Sequence, residues 1–387
     1  MQKPKILSPS LDLEMTGEKL MHDTLHIPDG IDAIFDTIVA QVAQNLAGED
    51  ASRINTVVLS GVGDIYHASL STEYAFERLT GIRTMAMPSM RLGLYGSMTL
   101  PAGTVVTQGS YSGRPDRVVE AAGLARRAGA RVWAVTLDGT SPLAQASDLC
   151  FGKVPGAEMS GIGFQLVTLI LLLIGTRLGE LRGTLRPARA EALRGILRAS
   201  TGDMRRTLAA SLDPVRRLAE RFADAGHVLF LGCGPSYGAA VNGSARVLEA
   251  VGWNASAQDT EEWAHLDRWA ADRVSPSLLI APSGPSRYRA MEIARAMVRL
   301  RKPSVAVAAA GDAEMAAAAE FTLPVESRLP EEFSPLVYNL PGEMLANQLS
   351  IVTKRRPYRQ EDPVYRQLGE VRWGGTLLTA LPPMLDG

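Results

Sequence analysis

The chain has 387 residues, of which 46% are hydrophobic, and its formal net charge is −1. This length suits two domains of ordinary size, each able to bury its own core. The balanced charge gives no general attraction to nucleic acid or to an anionic membrane surface. Two cysteines, Cys150 and Cys233, form no disulfide framework and favour a reducing compartment, and no zinc-type spacing is present. We therefore expect a soluble, cytoplasmic protein without metal or other cofactor.

The N-terminus and the most apolar run of the chain lead to the same expectation. Residues 1–15 contain no apolar core of the length found in signal peptides. The run Leu166–Gly175 is shorter than the about 20 residues that cross a bilayer. We expect it to form a buried helix at a domain or subunit contact.

Strand and helix patterns alternate along the first part of the chain. Residues 1–30, with three prolines, are expected to be irregular, and apolar spacing predicts a helix at Ile31–Ala47. The elements that follow are, in order, strand Thr56–Ser60, helix Leu70–Leu79 ending at Gly81, strand Val105–Gln108, helix Arg117–Ala128 ending at Gly129, and strand Arg131–Leu137. This order with short loops predicts a parallel sheet covered by helices on both faces.

The same pattern recurs at an offset of 171 residues. At this offset the glycines and their neighbours coincide: Gly61 with Gly232, Gly63 with Gly234, Tyr66 with Tyr237, Gly81 with Gly252, Ser112-Gly113 with Ser283-Gly284, and strand Trp133–Leu137 with Ser304–Ala308. One register through two strand–turn–helix units predicts a duplicated domain. We divide the chain into an N-terminal arm (1–30), a first domain (31–183), a helical linker (184–213), a second domain (214–357) and a C-terminal tail (358–387).

Polar turns follow the strands in both copies, at the edge where open parallel sheets bind ligands. In the first copy this turn offers Ser110, Ser112, Gly113 and Arg114. Small hydroxyls and free backbone N–H groups suit a phosphate, and an arginine can add a charge-assisted pair. The alternative is an ordinary polar turn at a strand end. In the second copy, Ser236 stands at the start of the helix, where a polar ligand can bind.

A dinucleotide site is the weaker interpretation of the paired glycines. The motif needs a third glycine, and Tyr66 and Tyr237 stand there instead. No acidic residue clearly ends the next strand.

Glu249 and His265 are candidates for an acid/base pair, 16 residues apart. A carboxylate can remove a proton next to a carbonyl, and an imidazole can serve the ring oxygen of a sugar. Glu262 lies three residues before His265, on one face of a helix, and is expected to orient the ring. The alternative for both candidates is an ordinary position on a helix surface.

With these residues in place, the chain resembles tandem SIS (sugar isomerase) proteins over roughly residues 30–355. The family includes the isomerase half of glucosamine-6-phosphate synthase and the fructosamine-phosphate deglycases. The resemblance implies two three-layer α/β/α domains with parallel sheets of flavodoxin-like topology. It also implies that Glu249 is the base and that His265, in a Glu-x-x-His segment, acts on the sugar ring, often of the neighbouring subunit. A homodimer is therefore expected.

The resemblance places the phosphate of the substrate in the first copy, at Ser110, Ser112 and Ser160, with Gly63 nearby. This chain departs from the family at Asp64 and Ile65, where the family usually has Thr and Ser. Asp64 repels a phosphate unless Arg114 or Arg117 compensates, and it can instead bind sugar hydroxyls. The terminal lysine of the synthase and its glutaminase domain have no counterpart here, so glutamine-dependent amidotransfer is not expected.

We therefore predict an enzyme that binds a carbohydrate derivative, a sugar phosphate or fructosamine phosphate, and transfers a proton at C1 and C2. The outcome is an aldose–ketose isomerisation or a deglycase or deaminase reaction, with a slight preference for the second because Glu and His suffice for it. The alternative is a non-catalytic regulator that binds sugar phosphates.

Overall fold

The computed structural model describes residues 15–153, 163–270 and 272–367. The first part of the chain forms, in order, α1 (Gly17–Leu25), α2 (Ile27–Asn45), β1 (Thr56–Gly61), α3 (Asp64–Thr80), β2 (Arg83–Pro88), α4 (Ser89–Leu94), β3 (Thr104–Gly109), α5 (Asp116–Arg127), β4 (Arg131–Val135), α6 (Pro142–Gln145), β5 (Leu149–Phe151), α7 (Gly163–Arg182) and α8 (Pro187–Arg221). The second part forms β6 (His227–Gly232), α9 (Pro235–Val251), β7 (Asn254–Asp259), α10 (Thr260–His265), β8 (Ser277–Ala281), α11 (Arg287–Arg299), β9 (Ser304–Ala309), α12 (Ala313–Ala318), β10 (Phe321–Val325), α13 (Pro335–Tyr338), α14 (Leu340–Thr353) and α15 (Pro363–Gln367).

These elements belong to two compact units. The first unit takes residues 29–153 and 163–201 of the described chain. The second takes residues 15–28 together with most of the chain from residue 202 onward. Helix α8 covers the predicted linker and continues to Arg221.

The first unit is built on a five-stranded parallel sheet with the strand order β2-β1-β3-β4-β5. This is the order of flavodoxin-like folds. Strands β1 and β3 are buried along their whole length, because helices cover both faces. Helices α4 to α6 pack their apolar side chains on one face, around Val58, Val106 and Val132. The predicted fold class is confirmed.

The second unit repeats this sheet with the strand order β10-β9-β8-β6-β7. Helices α10 to α12 pack on one face, with Trp263, Met297 and Met315 in the core. Helix α9 begins after Gly234 and ends at Gly252, whose φ of 65° closely matches the 66° of Gly81 at the end of α3.

The strand register defines where the two copies correspond and corrects one predicted match. Val58 and Val106 pair in the first sheet as Leu229 and Ser277 do in the second, which preserves the offset of 171. In the next strand Val132 corresponds to Ser304, so the prediction that Trp133 matches Ser304 is wrong by one residue. The reason is that α11 has 13 residues and α5 has 12.

The prediction that residues 1–30 are irregular is wrong for the described part of that range. Helix α1 begins after Thr16, whose side chain accepts a hydrogen bond from the Lys19 N–H. Pro28 is the second residue of α2, where its missing N–H removes no helical hydrogen bond. The proline pattern therefore marks a helix start and not an irregular arm.

Among the described residues, one helix, α7, is long and apolar enough to cross a membrane by length and composition. Most of its apolar stretch is buried within the protein. Gly175 lets it approach α3, because a Cβ there would lie 3.2 Å from the Phe76 ring. The prediction that Leu166–Gly175 is a buried helix is confirmed, whereas its place at a domain or subunit contact stays a prediction.

Candidate functional site

Both glycine turns lie at the carboxyl edge of their sheets. Gly63 precedes α3 with φ 55° and ψ −133°, and Gly234 precedes α9 with φ 54° and ψ −125°. These conformations favour glycine because a Cβ is strained there. In both units the helix therefore starts with its N–H groups at the edge where parallel sheets bind ligands.

Ile65 occupies the centre of this edge in the first unit. It is 5% exposed, and a Cβ built on Gly61 or Gly109 would lie 2.6 or 2.2 Å from its Cγ2 atom. These glycines end β1 and β3, which are parallel neighbours. Between them lies the topological switch point, where the order in which the strands are added to the sheet changes direction. Ligands of such folds bind in the crevice at this point. An apolar side chain fills that crevice here.

The space left beside Ile65 is small. A cavity of about 10 Å³, lined also by Tyr111, Val135 and Leu166, holds about one water molecule. The Asp64 carboxylate lies at the start of α7, since a Cβ on Gly163 would be 3.0 Å from its Oδ2. A sugar ring does not fit this cavity.

The Ser-Gly turn of the first unit is held by its own hydrogen bonds. The Ser110 hydroxyl is buried and accepts the Gly113 N–H at 3.2 Å. Gly113 has a φ of 63°, and a Cβ there would lie 2.1 Å from the Ser141 hydroxyl, so only glycine fits. Ser112 is half-buried. The predicted residues Ser110, Ser112 and Gly113 are thus together in one rigid turn.

The arginines near this turn are paired with carboxylates. Arg114 donates to Asp138 at 2.7 Å, and Arg117 donates to Glu120 at 2.5 Å. Hydrogen bonds from Thr140, and then from Arg114, hold the pKa of Asp138 below its usual range. The guanidinium groups expected to compensate Asp64 are therefore already engaged. Ser160, the remaining predicted phosphate contact, lies outside the described residues.

In the second unit the corresponding edge is polar and acidic. Ser236 is fully buried at the start of α9, and its hydroxyl has no hydrogen-bond partner within the described structure. Burial raises the pKa of the Cys233 thiol, and the nearby carboxylates of Asp259 and Glu331 raise it further. This thiol stays protonated at neutral pH and is a poor nucleophile.

Glu249 lies in the last turn of α9 and is held by a neighbouring arginine. Its Oε2 accepts a hydrogen bond from Arg246 at 2.7 Å. The Glu249 side chain is 39% exposed, whereas that of Arg246 is 13% exposed. A charge-assisted bond to this partly buried guanidinium fixes the direction of the carboxylate while solvent still reaches it. Such a carboxylate is suited to accept a proton from a bound molecule.

His265 ends α10 and contacts a different glutamate from the one predicted. Its Nε2 lies 3.1 Å from Oε1 of Glu261, one helical turn earlier, so the assignment of Glu262 as the orienting residue is wrong. Glu261 also accepts two hydrogen bonds from Arg289. These bonds, first from Arg289 and then from His265, lower the pKa of Glu261.

Within one chain, Glu249 and His265 lie at opposite ends of the strands of the second sheet. Helix α9 runs back from the carboxyl edge, so Glu249 in its last turn is near the start of β7. His265 follows the end of β7. A strand of six residues spans about 17 Å, so the two side chains do not meet in one unit.

The structure also shows residues that the sequence interpretation missed. Arg246 was available as a signal, because it lies three residues before Glu249 on one helix face. Glu331, which bonds the Ser286 hydroxyl, carries no local pattern that marks it. Over residues 15–153, 163–270 and 272–367, no group of three or more His, Cys, Asp or Glu side chains could hold a metal ion.

Comparison with known proteins finds a family model that matches part of the first unit. Residues 52–175 match the SIS domain model. The isomerizing glutamine–fructose-6-phosphate aminotransferase of Pseudomonas putida is 26% identical over 325 residues, which are 82% of this chain and 52% of that protein. The chain thus spans about half the length of the curated relatives it matches.

Solved structures show the same fold over nearly the whole chain. The C-terminal domain of glucosamine-fructose-6-phosphate aminotransferase from Francisella tularensis matches with a TM-score of 0.79 and 16% identity, covering 87% of this chain and 96% of that one. Glucosamine-6-phosphate deaminase from Thermotoga maritima matches with a TM-score of 0.68 and 17% identity, covering 89% and 97%. Residues 52–175 therefore match the SIS domain model, and over 87% of its length the chain shares the fold of that C-terminal domain.

Proposed function

We propose that the chain is an enzyme that acts on a carbohydrate derivative and moves a proton between C1 and C2. The outcome is an aldose–ketose isomerisation or the loss of an amine, as in a deglycase or deaminase. The names of the similar proteins, an isomerizing aminotransferase and a deaminase, support this reaction class. The observation that carries the proposal is the partly exposed Glu249 carboxylate, which a hydrogen bond from the largely covered Arg246 side chain holds in place.

Glu249 is the base of the proposed reaction. Its carboxylate takes the proton from the carbon next to the carbonyl or imine, and the electron pair of that C–H bond forms an enediol or enaminol. An isomerase returns the proton to the adjacent carbon. In a deglycase the proton returns to C2 and gives the imine of the aldose, water adds to C1 of this imine, and the amine then leaves with a proton supplied by a general acid, for which we propose His265. Arg246 holds the carboxylate of the base in position, and no metal or redox partner is needed for this balance.

His265 is proposed to act in the site of a second copy of the chain. It cannot reach Glu249 of its own unit, because the two residues lie at opposite ends of strand β7. The surface next to His265 carries large apolar side chains, with Leu266 59% and Trp269 73% exposed. Exposed apolar residues clustered on a soluble protein mark an interaction surface. We therefore propose a homodimer in which this surface is covered.

Gly63, Asp64 and Ser112 are proposed to form a carbohydrate-binding surface of the first unit. Because Arg114 is engaged by Asp138, a phosphate gains no free guanidinium from it. This favours a substrate recognised by its hydroxyl groups, or one whose anion binds elsewhere. A thermal-shift comparison of each sugar with its phosphate ester tests this, since saturating ligand at 100 times its Kd adds about 2.7 kcal/mol of stability.

Solvent exchange tests the reaction. The full chain is incubated in D2O with ketose, aldose and fructosamine phosphates and their unphosphorylated forms, and deuterium at C1 and C2 is read by NMR. We expect exchange with at least one of them, and Glu249→Gln is expected to slow it by about 10²- to 10⁴-fold. Glu220→Gln is the matched control, because this exposed glutamate also pairs with an arginine on its own helix. Equal exchange by both variants rules out Glu249 as the base.

A mixture of two inactive variants tests the role of the second copy. A dimer of one Glu249→Gln chain and one His265→Ala chain holds one site with both groups intact only if His265 comes from the partner. Recovery of activity on mixing is therefore expected. If the mixture stays as inactive as its components, His265 does not act across an interface.

The alternative is a sugar-binding regulator without activity. The side chain of Ile65, which fills the crevice of the first unit, is the observation that favours it. A carbohydrate that binds without any exchange at C1 or C2 would support this alternative over the enzyme.

A further inference from the structure

The second unit contains a cleft at the carboxyl edge of its sheet. Its volume is about 720 Å³, within the range of ligand sites in proteins. It is lined by the ends of three neighbouring strands, with Ser283 after β8, Ala310 after β9 and Val325 to Pro330 after β10. Open parallel sheets bind ligands at this edge. Glu249 lies at the other edge, so the cleft is separate from the proposed base.

Hydrogen bonds to helix α8 hold one wall of the cleft in place. The Ser327 hydroxyl donates to Asp203 at 2.7 Å, and the Glu326 N–H donates to the Thr207 hydroxyl at 2.9 Å. The Ser211 hydroxyl donates to the Pro324 carbonyl at 3.0 Å. The cleft is therefore preformed, which lowers the entropic cost of binding.

The chemistry of the lining is polar with balanced charge. Asp203 pairs with Arg206, and Glu326 and Arg328 add one charge of each sign at the rim. Behind them Tyr338 is buried, which raises the pKa of its phenol to about 12 and keeps it protonated. Hydroxyl groups and paired charges suit a ligand that has many hydroxyls and no net charge.

The Glu331 carboxylate lies against the Ser283-Gly284 turn beside the cleft and disfavours the binding of an anion there. Glu331 bonds the Ser286 hydroxyl, and a Cβ built on Gly284 would lie 2.0 Å from its Oε2. This turn corresponds to Ser112-Gly113 of the first unit, where a phosphate was predicted. Glu331 therefore occupies this turn, and its charge repels a phosphate.

From this geometry we propose that the cleft of the second unit is a second carbohydrate site, which binds an unphosphorylated, polyhydroxylated ligand such as a free sugar or sugar alcohol. The proposal does not depend on the reaction assigned to Glu249. The site discriminates against phosphate esters through Glu331.

Binding of defined probes to the full chain tests this. D-fructose, D-glucose, D-sorbitol and fructose 6-phosphate are titrated by calorimetry and by saturation-transfer NMR. Ala310→Trp places an indole in the cleft from an exposed position and leaves the backbone bond to Val325 in place. Ser283→Trp is a second occluding variant, and Ala317→Trp on the exposed face of α12 is the matched control.

We expect at least one unphosphorylated probe to bind. Both occluding variants should weaken it at least tenfold, whereas Ala317→Trp should leave the affinity unchanged. Glu331→Gln should strengthen the binding of fructose 6-phosphate relative to the unchanged chain. The proposal is overturned if no probe binds, if the occluding variants bind like the control, or if Glu331→Gln leaves the discrimination against the phosphate ester as it was.

Discussion

Replacement of Ile65 tests whether its side chain really seals the crevice of the first unit. Ile65→Val removes one methylene from a side chain that is 5% exposed, and such changes cost about 0.5–1.5 kcal/mol. Ile65→Thr keeps the same shape as valine but puts a hydroxyl in place of a methyl. The cavity beside it holds about one water molecule, so the hydroxyl is poorly solvated. We expect it to cost about 1–3 kcal/mol more than valine.

Hydrogen exchange of the backbone amides of α3, followed by mass spectrometry, measures this difference locally. Under conditions in which exchange follows the opening equilibrium, the threonine variant should exchange about 5- to 150-fold faster than the valine variant, because 1.4 kcal/mol corresponds to tenfold. Peptides from α9 in the second unit provide the internal control and should not change. Equal exchange of α3 in the two variants would contradict the assignment of Ile65 to a dry, apolar crevice.

Two further predictions concern stability and pH. Gly81→Ala and Gly252→Ala place a Cβ at nearly the same positive φ, which costs about 1–2 kcal/mol at either position. Urea unfolding should show a larger loss of unfolding free energy for Gly252→Ala, because its Cβ meets Arg359 at 2.7 Å. Equal losses would contradict this. The pKa of Asp138 is lowered in the fold, so its contribution to stability is present above the unfolded value of about 3.9 and is lost as the pH falls through the folded value. Thr140→Val removes the main cause and should shift this loss to higher pH, as measured by NMR titration of the Asp138 carboxyl group; an unchanged titration would refute the assigned cause.

The backbone framework was accessible from the sequence because its signals are local. Short apolar runs between glycines predict buried parallel strands, and the glycines with positive φ stand where the turns require them. The repeat followed from Gly63 and Gly234, which have almost the same dihedral angles. The register failed by one residue in the fourth strand, because a helix can gain a residue without a change in its apolar pattern.

The side-chain pairs that decide the chemistry were not accessible in the same way. Arg114 and Asp138 are 24 residues apart, and Glu331 is 45 residues from Ser286. Charges scattered along a chain carry no period, so their partners emerge only from the fold. His265 illustrates the limit within one helix, since two glutamates precede it and only the geometry selects Glu261.

Helix α1 has a consequence for the order in which the chain folds. Its Thr24 hydroxyl donates to the buried Glu343 of α14, 319 residues later in the chain. At a synthesis rate of about 5–20 residues per second, roughly 15–60 s separate the two partners on the ribosome. The second unit is thus completed by a helix near the start of the described chain and a helix near its end. A fragment that starts at residue 202 would leave Glu343 without this hydroxyl, whereas a separate peptide covering α1 should restore the contact and the stability that depends on it.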